Sequence, residues 1–298
     1  MTFTIATSVG DALAALAAGA RPIAGGSDLV VGARHGKAPL PADLVAIDRL
    51  DDLRRIESDD LGVRIGALAS HSTLMVDPAV VADYTALADA SALVGSPATR
   101  HVGTLGGNVM NASPAMDTGA PLLVFGATVE LRSVDGTRIV PIDELWTGPG
   151  RTVATSDELC TSIRLPARPA RSGSAYVRLE YRRAMEIAVV GAAASVSLVD
   201  DGTAAAIAVA LSAVAPTIVS VDVSAFAGRP VDDELLADVA SSAADRATPI
   251  SDLRASDRYR RHTVGVMARR AVEAAARRAG GETIAVPVNR ALGIGATS

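Results

Sequence analysis

Residues 103–117, with the sequence GTLGGNVMNASPAMD, decide how the rest of the chain is organised. Glycine has no Cβ atom, so the adjacent Gly106 and Gly107 allow another backbone segment or a ligand to come close. Polar side chains later in the same stretch bring hydrogen-bond donors or acceptors for a ligand, and these include Asn108, Asn111, Ser113 and Asp117. On this stretch alone two interpretations stay open, a buried glycine-rich turn and a binding site for a polar ligand.

A second glycine-rich loop, AGGSDL at residues 24–29, favours the binding site. It follows residues 21–23, which we predict to be a short strand, and it precedes an apolar run that reaches Val31. Successive backbone N–H groups in such a loop form an anion-binding nest, and the start of a helix adds its positive end. Together the two loops predict a long ligand with a diphosphate near its middle.

The overall composition limits the kind of protein. The 298 residues suit two domains or three small lobes around a sizeable core. The formal net charge of −5 argues against nucleic acid as the main partner. No apolar run could span a membrane without a charged or turn residue, and residues 1–20 show no secretory signal. We therefore expect a cytoplasmic protein with no integral membrane segment.

Few residues offer reactive chemistry of their own. The single cysteine, Cys160, excludes an internal disulfide framework and cannot alone supply the thiolates of an iron–sulfur cluster. The four histidines show no metal-ligand spacing, so we predict no metal site. His101 could act as a base, but no partner for it is evident. We therefore assign no catalytic residue and expect a bound cofactor to carry the chemistry.

Two common nucleotide sites are also disfavoured. No Gly-x-Gly-x-x-Gly follows the first strand, which argues against a Rossmann dinucleotide site. No Gly-Lys-Ser/Thr occurs, which argues against a Walker loop.

Before residue 167, local patterns predict alternating strands and helices. A basic, proline-containing boundary follows at residues 167–173, and after it the patterns predict strands followed by helices. Helices are predicted to begin near Ser8, Asp77, Asp232 and Asp257. The predicted strands, several joined by hairpins at 59–62, 135–136 and 200–203, cover residues 21–24, 44–47, 53–56, 63–67, 128–134, 137–142, 158–165, 188–199 and 204–214.

With these motifs in place, the chain resembles the FAD-binding (medium) subunit of the molybdenum hydroxylases, the xanthine dehydrogenase and aerobic carbon monoxide dehydrogenase family. The resemblance rests on residues 24–29, on Thr104 to Asn108 followed by Ala112-Ser113-Pro114 and Asp117, and on signatures near residues 182–190 and 254–261. It implies an α+β fold. A two-lobed FAD-binding domain of the vanillyl-alcohol-oxidase (PCMH) type would precede a C-terminal α+β domain of the CO dehydrogenase flavoprotein type. The implied boundaries are 1–168 (lobes 1–57 and 58–168), 173–281 and a tail at 282–298.

The resemblance also implies which residues contact FAD. Backbone groups of the two loops would hold the diphosphate and the adjoining ribityl and ribose groups, and Asp117 would bind hydroxyls. The backbone near Leu159 and Cys160 would face the isoalloxazine ring, and Arg178 falls where the family often has a lysine near the flavin. The expected cofactor-binding residues are Pro22, Ile23, Ala24, Gly25, Gly26, Ser27, Asp28, Leu29, Thr104, Leu105, Gly106, Gly107, Asn108, Asn111, Asp117, Leu159, Cys160 and Arg178.

The partners follow from the same resemblance. A large molybdopterin-binding subunit would oxidise the substrate, and a small [2Fe–2S] subunit would pass the electrons to FAD and on to a terminal acceptor. The usual assembly would be a dimer of heterotrimers. Two alternatives stay open: a stand-alone FAD-dependent oxidase of the vanillyl-alcohol-oxidase type, and a binding module that has lost its cofactor.

Overall fold

The computed structural model describes residues 2–36 and 38–294. The first lobe consists of β1 (Thr2–Ile5), α1 (Val9–Ala17), β2 (Arg21–Ile23), α2 (Leu29–Arg34) and β3 (Asp43–Ala46). Its three strands form a parallel sheet in the order β1-β3-β2, and Leu13 and Leu16 of α1 share a core with Val45 of β3. The predicted cap at Ser8 is confirmed, because Ser8 and Asp11 form a reciprocal capping box.

The second lobe is built on a five-stranded antiparallel sheet in which β10 is central. Its elements are β4 (Ile56–Asp59), β5 (Gly62–Gly66), α3 (His71–Leu74), α4 (Pro78–Asp83), α5 (Thr85–Leu93), α6 (Pro97–Val102), α7 (Leu105–Asn111), α8 (Gly119–Val124), β6 (Thr128–Arg132), β7 (Thr137–Pro141), α9 (Ile142–Leu145), β8 (Trp146–Gly148), β9 (Arg151–Thr152) and β10 (Leu159–Pro166). The strand order is β4-β5-β10-β6-β7, and β8 pairs with β9 separately. Helices α5, α7 and α8 contribute to the core beneath this sheet.

Two predictions in this lobe need correction. The predicted strand at residues 53–56 is mostly a 3₁₀ turn, Asp51–Arg54, and the strand begins at Ile56. The helix predicted to run on from Asp77 breaks at Tyr84, whose φ and ψ angles are −126° and 43°. The buried Tyr84 hydroxyl donates to the Pro166 carbonyl at 2.8 Å. This contact with a distant strand, which no local pattern encodes, accompanies the break.

The C-terminal part contains one sheet, which packs on one face against the second lobe and on the other against two helices. Its elements are β11 (Ser172–Leu179), β12 (Val190–Leu198), β13 (Ala204–Ser212), β14 (Val219–Val221), α10 (Asp233–Arg246), α11 (Asp257–Ala279) and α12 (Val288–Ala291). The antiparallel strand order is β11-β12-β13-β14. Ala193 and Ala210 face the core of the second lobe, whereas Ala192 and Leu211 face α10 and α11. Burial on both faces explains why these strands are predicted from continuous apolar runs rather than from alternation.

The segment after α11 packs back onto the sheet. Val288 and Asn289 are fully buried, and Asn289 exchanges two hydrogen bonds with the backbone of Arg178. Residues 295–298 of the predicted tail lie outside the described residues. Within residues 2–36 and 38–294 no helix combines the length and the apolarity needed to cross a membrane.

Candidate cofactor site

The two glycine-rich loops lie against each other. A Cβ atom on Gly25 would sit 1.7 Å from the carbonyl oxygen of Val102, at the end of α6. A Cβ atom on Gly103 would sit 3.7 Å from the Ser27 hydroxyl oxygen. Only glycine permits the first of these approaches, because any other residue would overlap a backbone carbonyl. The fold therefore brings residues 24–29 and 103–108 together, although they are far apart in the sequence.

The first loop offers free backbone donors. Pro22 and Ile23 end β2 and Leu29 begins α2, so Ala24 to Asp28 connect a strand to a helix. In the described ranges, the N–H groups of Gly25, Gly26 and Ser27 donate to no other group of the chain. Gly26 has a φ angle of +68°, a conformation that favours glycine. Three successive unpaired N–H groups are suited to an anion such as a diphosphate.

The second loop uses its backbone donors within the fold. Leu105 N–H donates to the Ala69 carbonyl at 2.9 Å, and Gly106 N–H donates to the Ala67 carbonyl at 2.8 Å. The Gly107 N–H is taken by the Thr104 hydroxyl, which caps α7. A Cβ atom on Gly106 would lie 2.6 Å from that of Ala67. Gly106 therefore serves close packing, and the expected backbone contacts of this loop with a cofactor stay a prediction.

The polar side chains after the second loop lie at its more open side. Asn111 is exposed and Asn108 is half-buried. The Asn108 Oδ1 atom accepts a hydrogen bond from the Thr118 hydroxyl at 2.6 Å. This bond orients the amide and leaves its NH₂ group as a donor for a ligand.

Asp117 and Arg178 contact each other. Arg178 Nη1 lies 2.7 Å from Asp117 Oδ2, and the Tyr176 hydroxyl donates to Asp117 Oδ1 at 2.8 Å. The Arg178 Nε atom also donates to Glu180 Oε2 at 2.9 Å, and Glu180 binds Arg290 through its other oxygen. These residues form one buried polar network between the central stretch and the C-terminal sheet.

Burial sets the electrostatics of this network. Burial raises the pKa of the Asp117 carboxyl, and the Arg178 guanidinium opposes that rise. Burial alone would lower the pKa of Arg178, but Asp117, Tyr176 and Glu180 raise it, so the guanidinium stays charged. The Arg178 side chain has no exposed surface and that of Asp117 is 9% exposed. Asp117 and Arg178, which the sequence predicts to contact the cofactor, therefore both form their hydrogen bonds with other groups of the protein.

The sequence prediction missed His71 and Arg100. His71 begins α3, is 1% exposed, and its backbone N–H donates to the Gly103 carbonyl at 3.2 Å. Its Nδ1 atom has no hydrogen-bond partner in the part of the chain that the structure describes. Arg100 is half-buried on α6 and donates to the Val94 carbonyl at 3.0 Å. No local signal marks either residue, because only the fold brings α3 and α6 beside the two loops.

Leu159 and Cys160 lie at the start of the central strand β10. Pairing with β5 begins only at Ser162, opposite Gly66, so the two residues extend beyond that partner strand. Both side chains are buried, and burial raises the pKa of the Cys160 thiol to about 12. The thiol is therefore neutral, and a role for these residues at a cofactor would come from the backbone, as the resemblance implies.

Among residues 2–36 and 38–294, no three His, Cys, Asp or Glu side chains are grouped so that they could hold a metal ion. The arrangement of free N–H groups, a buried imidazole and amide side chains can bind and orient a polar ligand.

Comparisons with known proteins identify the family of the chain. Residues 1–168 match the family described as FAD binding domain in molybdopterin dehydrogenase, and residues 175–275 match the CO dehydrogenase flavoprotein C-terminal domain. The xanthine dehydrogenase FAD-binding subunit of Escherichia coli O157:H7 is 30% identical, over 88% of this chain and 91% of the relative. The carbon monoxide dehydrogenase medium chain of Afipia carboxidovorans is 32% identical, over 91% and 95% respectively.

A solved structure shows the same fold. Carbon monoxide dehydrogenase from Hydrogenophaga pseudoflava, in a form lacking the Mo-pyranopterin moiety of its cofactor, superposes with a TM-score of 0.88. The match covers 92% of this chain and 96% of the other, at 31% sequence identity.

Proposed function

The chain belongs to the family of FAD-binding domains in molybdopterin dehydrogenases, and on that premise we propose that it relays electrons within a molybdenum hydroxylase complex. Its fold is α+β, with a two-lobed FAD-binding domain of the vanillyl-alcohol-oxidase (PCMH) type and a C-terminal domain of the CO dehydrogenase flavoprotein type. Its cofactor is FAD, and it is the FAD-binding medium subunit of an oxidoreductase. The domain boundaries at 168, 173 and 281 stay predictions.

The residues present fit FAD. The single observation that carries the proposal is the run of three unpaired N–H groups, Gly25 to Ser27, pressed against the second glycine loop. A dinucleotide brings a diphosphate, which needs donors of this kind and little bulk around them. The buried His71 ring lies at the same junction, with its Cδ2 atom 3.2 Å from the position of a Cβ atom on Gly103.

Several groups of the chain would hold the cofactor. The N–H groups of Gly25, Gly26 and Ser27 would bind the diphosphate, and the amides of Asn108 and Asn111 would bind hydroxyls. When bound, FAD supplies chemistry that accepts and releases electrons singly or in pairs. The Asp117–Arg178 network would hold residues 103–117 in place against the C-terminal sheet, which positions both loops.

The proposal also covers the partner subunits and the path of the electrons between them. A large molybdopterin-binding subunit would oxidise the substrate, and a small [2Fe–2S] subunit would deliver its electrons to this chain, in a dimer of heterotrimers in the cytoplasm. Two observations support this division. Relatives matched over most of their length are named as subunits or medium chains, and one cysteine cannot ligate an iron–sulfur cluster. The same matches favour a subunit over the alternative of a stand-alone oxidase.

The test is a visible absorption spectrum of the chain purified alone and with its natural partners, before and after incubation with FAD. We expect flavin bands in the chain alone and additional iron–sulfur absorbance only in the complex. Absence of bound flavin in both samples after incubation would overturn the proposal. Substrate oxidation by the chain alone would support the stand-alone oxidase instead.

A further inference from the structure

We propose that a ring nitrogen of His71 forms a hydrogen bond with the bound cofactor at the junction of the two glycine loops. The inference rests on the proposed function, because it requires that the chain binds FAD. It adds a binding residue that lies outside both glycine motifs and outside the C-terminal signatures.

The position of the ring carries the argument. A Cβ atom on Gly103 would lie 3.2 Å from His71 Cδ2 and 3.7 Å from the Ser27 hydroxyl oxygen. The Cδ2 edge of the imidazole therefore lies beside Gly103 and close to Ser27 of the first loop, whose Gly25 touches the end of α6. The backbone of His71 is tied to Gly103 by its own N–H, so the ring is held beside the junction.

The hydrogen bonding of the ring is incomplete without a ligand. His71 is 1% exposed, and its Nδ1 atom has no partner within residues 2–36 and 38–294. A buried polar atom without a partner is unfavourable, and such groups in native proteins normally have a partner in the functional state.

The charge state suits a hydrogen bond rather than an ion pair. Burial, with a further contribution from the nearby Arg100, lowers the pKa of His71 to about 4, so the ring is neutral at pH 7. A neutral imidazole has one donor and one acceptor nitrogen, which can serve a phosphate oxygen or a sugar hydroxyl. A neutral His71 would bring no positive charge to the diphosphate, and the cation near this ring is Arg100.

The first experiment compares His71→Phe with His71→Gln in the full-length chain, measuring FAD affinity by quenching of flavin fluorescence. We expect about tenfold weaker binding for His71→Phe, and binding within about threefold of wild type for His71→Gln, which keeps a donor and an acceptor. The Tm of the FAD-free His71→Phe variant should equal or exceed that of wild type, because it removes an unpartnered polar atom. His101→Gln, at an exposed histidine on α6, is the matched control.

A second measurement avoids mutation. Nitrogen NMR of the wild-type chain labelled at histidine should show the His71 ring resonances move when FAD saturates the site, while those of the exposed His101 stay in place. Resonances that do not move, or a His71→Phe variant that binds FAD as tightly as wild type, would overturn the inference and leave the proposed function intact. A wild-type chain that binds no FAD would overturn both.

Discussion

The guanidinium of Arg178 lies 2.7 Å from the carboxylate of Asp117, measured from Nη1 to Oδ2. Asp117 closes the central glycine-rich stretch, and Arg178 lies on β11 of the C-terminal sheet, 61 residues later. Both residues are expected from the sequence to touch the cofactor. Since each satisfies the other in a buried pair, we expect them to affect cofactor binding indirectly, by fixing the position of the stretch that carries the second loop.

We therefore expect Asp117→Asn to lower the stability of the fold, and to weaken FAD binding only as a consequence of that loss. Without the carboxylate, the fully buried Arg178 must share Glu180 with the partly exposed Arg290. Breaking one partner of a buried ion pair costs about 3–5 kcal/mol, so urea unfolding of the FAD-free chain should show a loss of that order. FAD affinity should fall with it.

A double variant separates the two explanations. The double variant Asp117→Asn/Arg178→Met should lose less stability than the sum of the two single variants. Each single variant leaves one charge of the pair without its partner, whereas the double variant removes both charges. If Asp117→Asn unfolds like the wild type and still loses FAD, Asp117 contacts the cofactor directly and the indirect account is wrong.

How much of this could be predicted depends on how local each signal is. The predicted helix start at Asp257 is confirmed, because the Ser256 side chain caps it. The hairpin at residues 135–136 is confirmed for the same kind of reason, since turn chemistry is local. The Asp117–Arg178 pair and the break at Tyr84 depend on contacts between distant segments, which no window of sequence contains.

The candidate site shows the same division. The glycines of both loops stand out in the sequence, but only the fold shows that they meet. It also shows that Gly106 packs against Ala67, whereas Gly25 faces the Val102 carbonyl at the end of α6. His71 carries no motif, and its unpartnered nitrogen is visible only in three dimensions.

Gly25→Ala should separate the two loops. Its methyl group would overlap the Val102 carbonyl, which cannot move without shifting the end of α6. We expect FAD affinity to fall by about a hundredfold, which corresponds to about 3 kcal/mol, because the displaced N–H groups lose hydrogen bonds to the charged diphosphate. Fluorescence titration with FAD gives this value.

Gly32→Ala, seven residues further on, is the matched control. A Cβ atom at Gly32 in α2 meets nothing within 4 Å, and alanine favours a helix over glycine by about 1 kcal/mol. This variant should bind FAD as wild type does. If Gly25→Ala and Gly32→Ala lost the same FAD affinity, the contact between Gly25 and the Val102 carbonyl would not be the cause of the loss.

Asp89→Asn should loosen the contact between the second lobe and the C-terminal part. The fully buried Asp89 on α5 accepts hydrogen bonds from Arg278 Nη1 at 2.6 Å and from the backbone N–H groups of Tyr176 and Val288. Loss of its charge leaves the nearly buried Arg278 without its carboxylate, at a cost of about 3–5 kcal/mol. Denaturant unfolding should show this loss, whereas Asp83→Asn at an exposed site should stay close to wild type. Equal stabilities of the two variants would refute the role of Asp89.

Acid should destabilise the chain partly through His71. Burial, and then Arg100, lower the pKa of its ring from 6.5 to about 4 in the folded state. Between these values the unfolded chain binds more protons than the folded chain, so stability falls as pH falls through this window. The full effect approaches about 3 kcal/mol below pH 4, at roughly 1.4 kcal/mol for each pKa unit.

His71→Phe isolates this contribution, because the other titrating groups remain in both proteins. Denaturant unfolding of the FAD-free chains at pH 7 and pH 5 should show a smaller loss of stability on acidification in the variant than in the wild type. The sign is fixed by the lowered pKa: a histidine that gained an anionic partner would instead protect the fold in acid. Equal losses in the two proteins would mean that the ring is solvated in the folded state, and the burial on which the cofactor contact depends would be wrong as well.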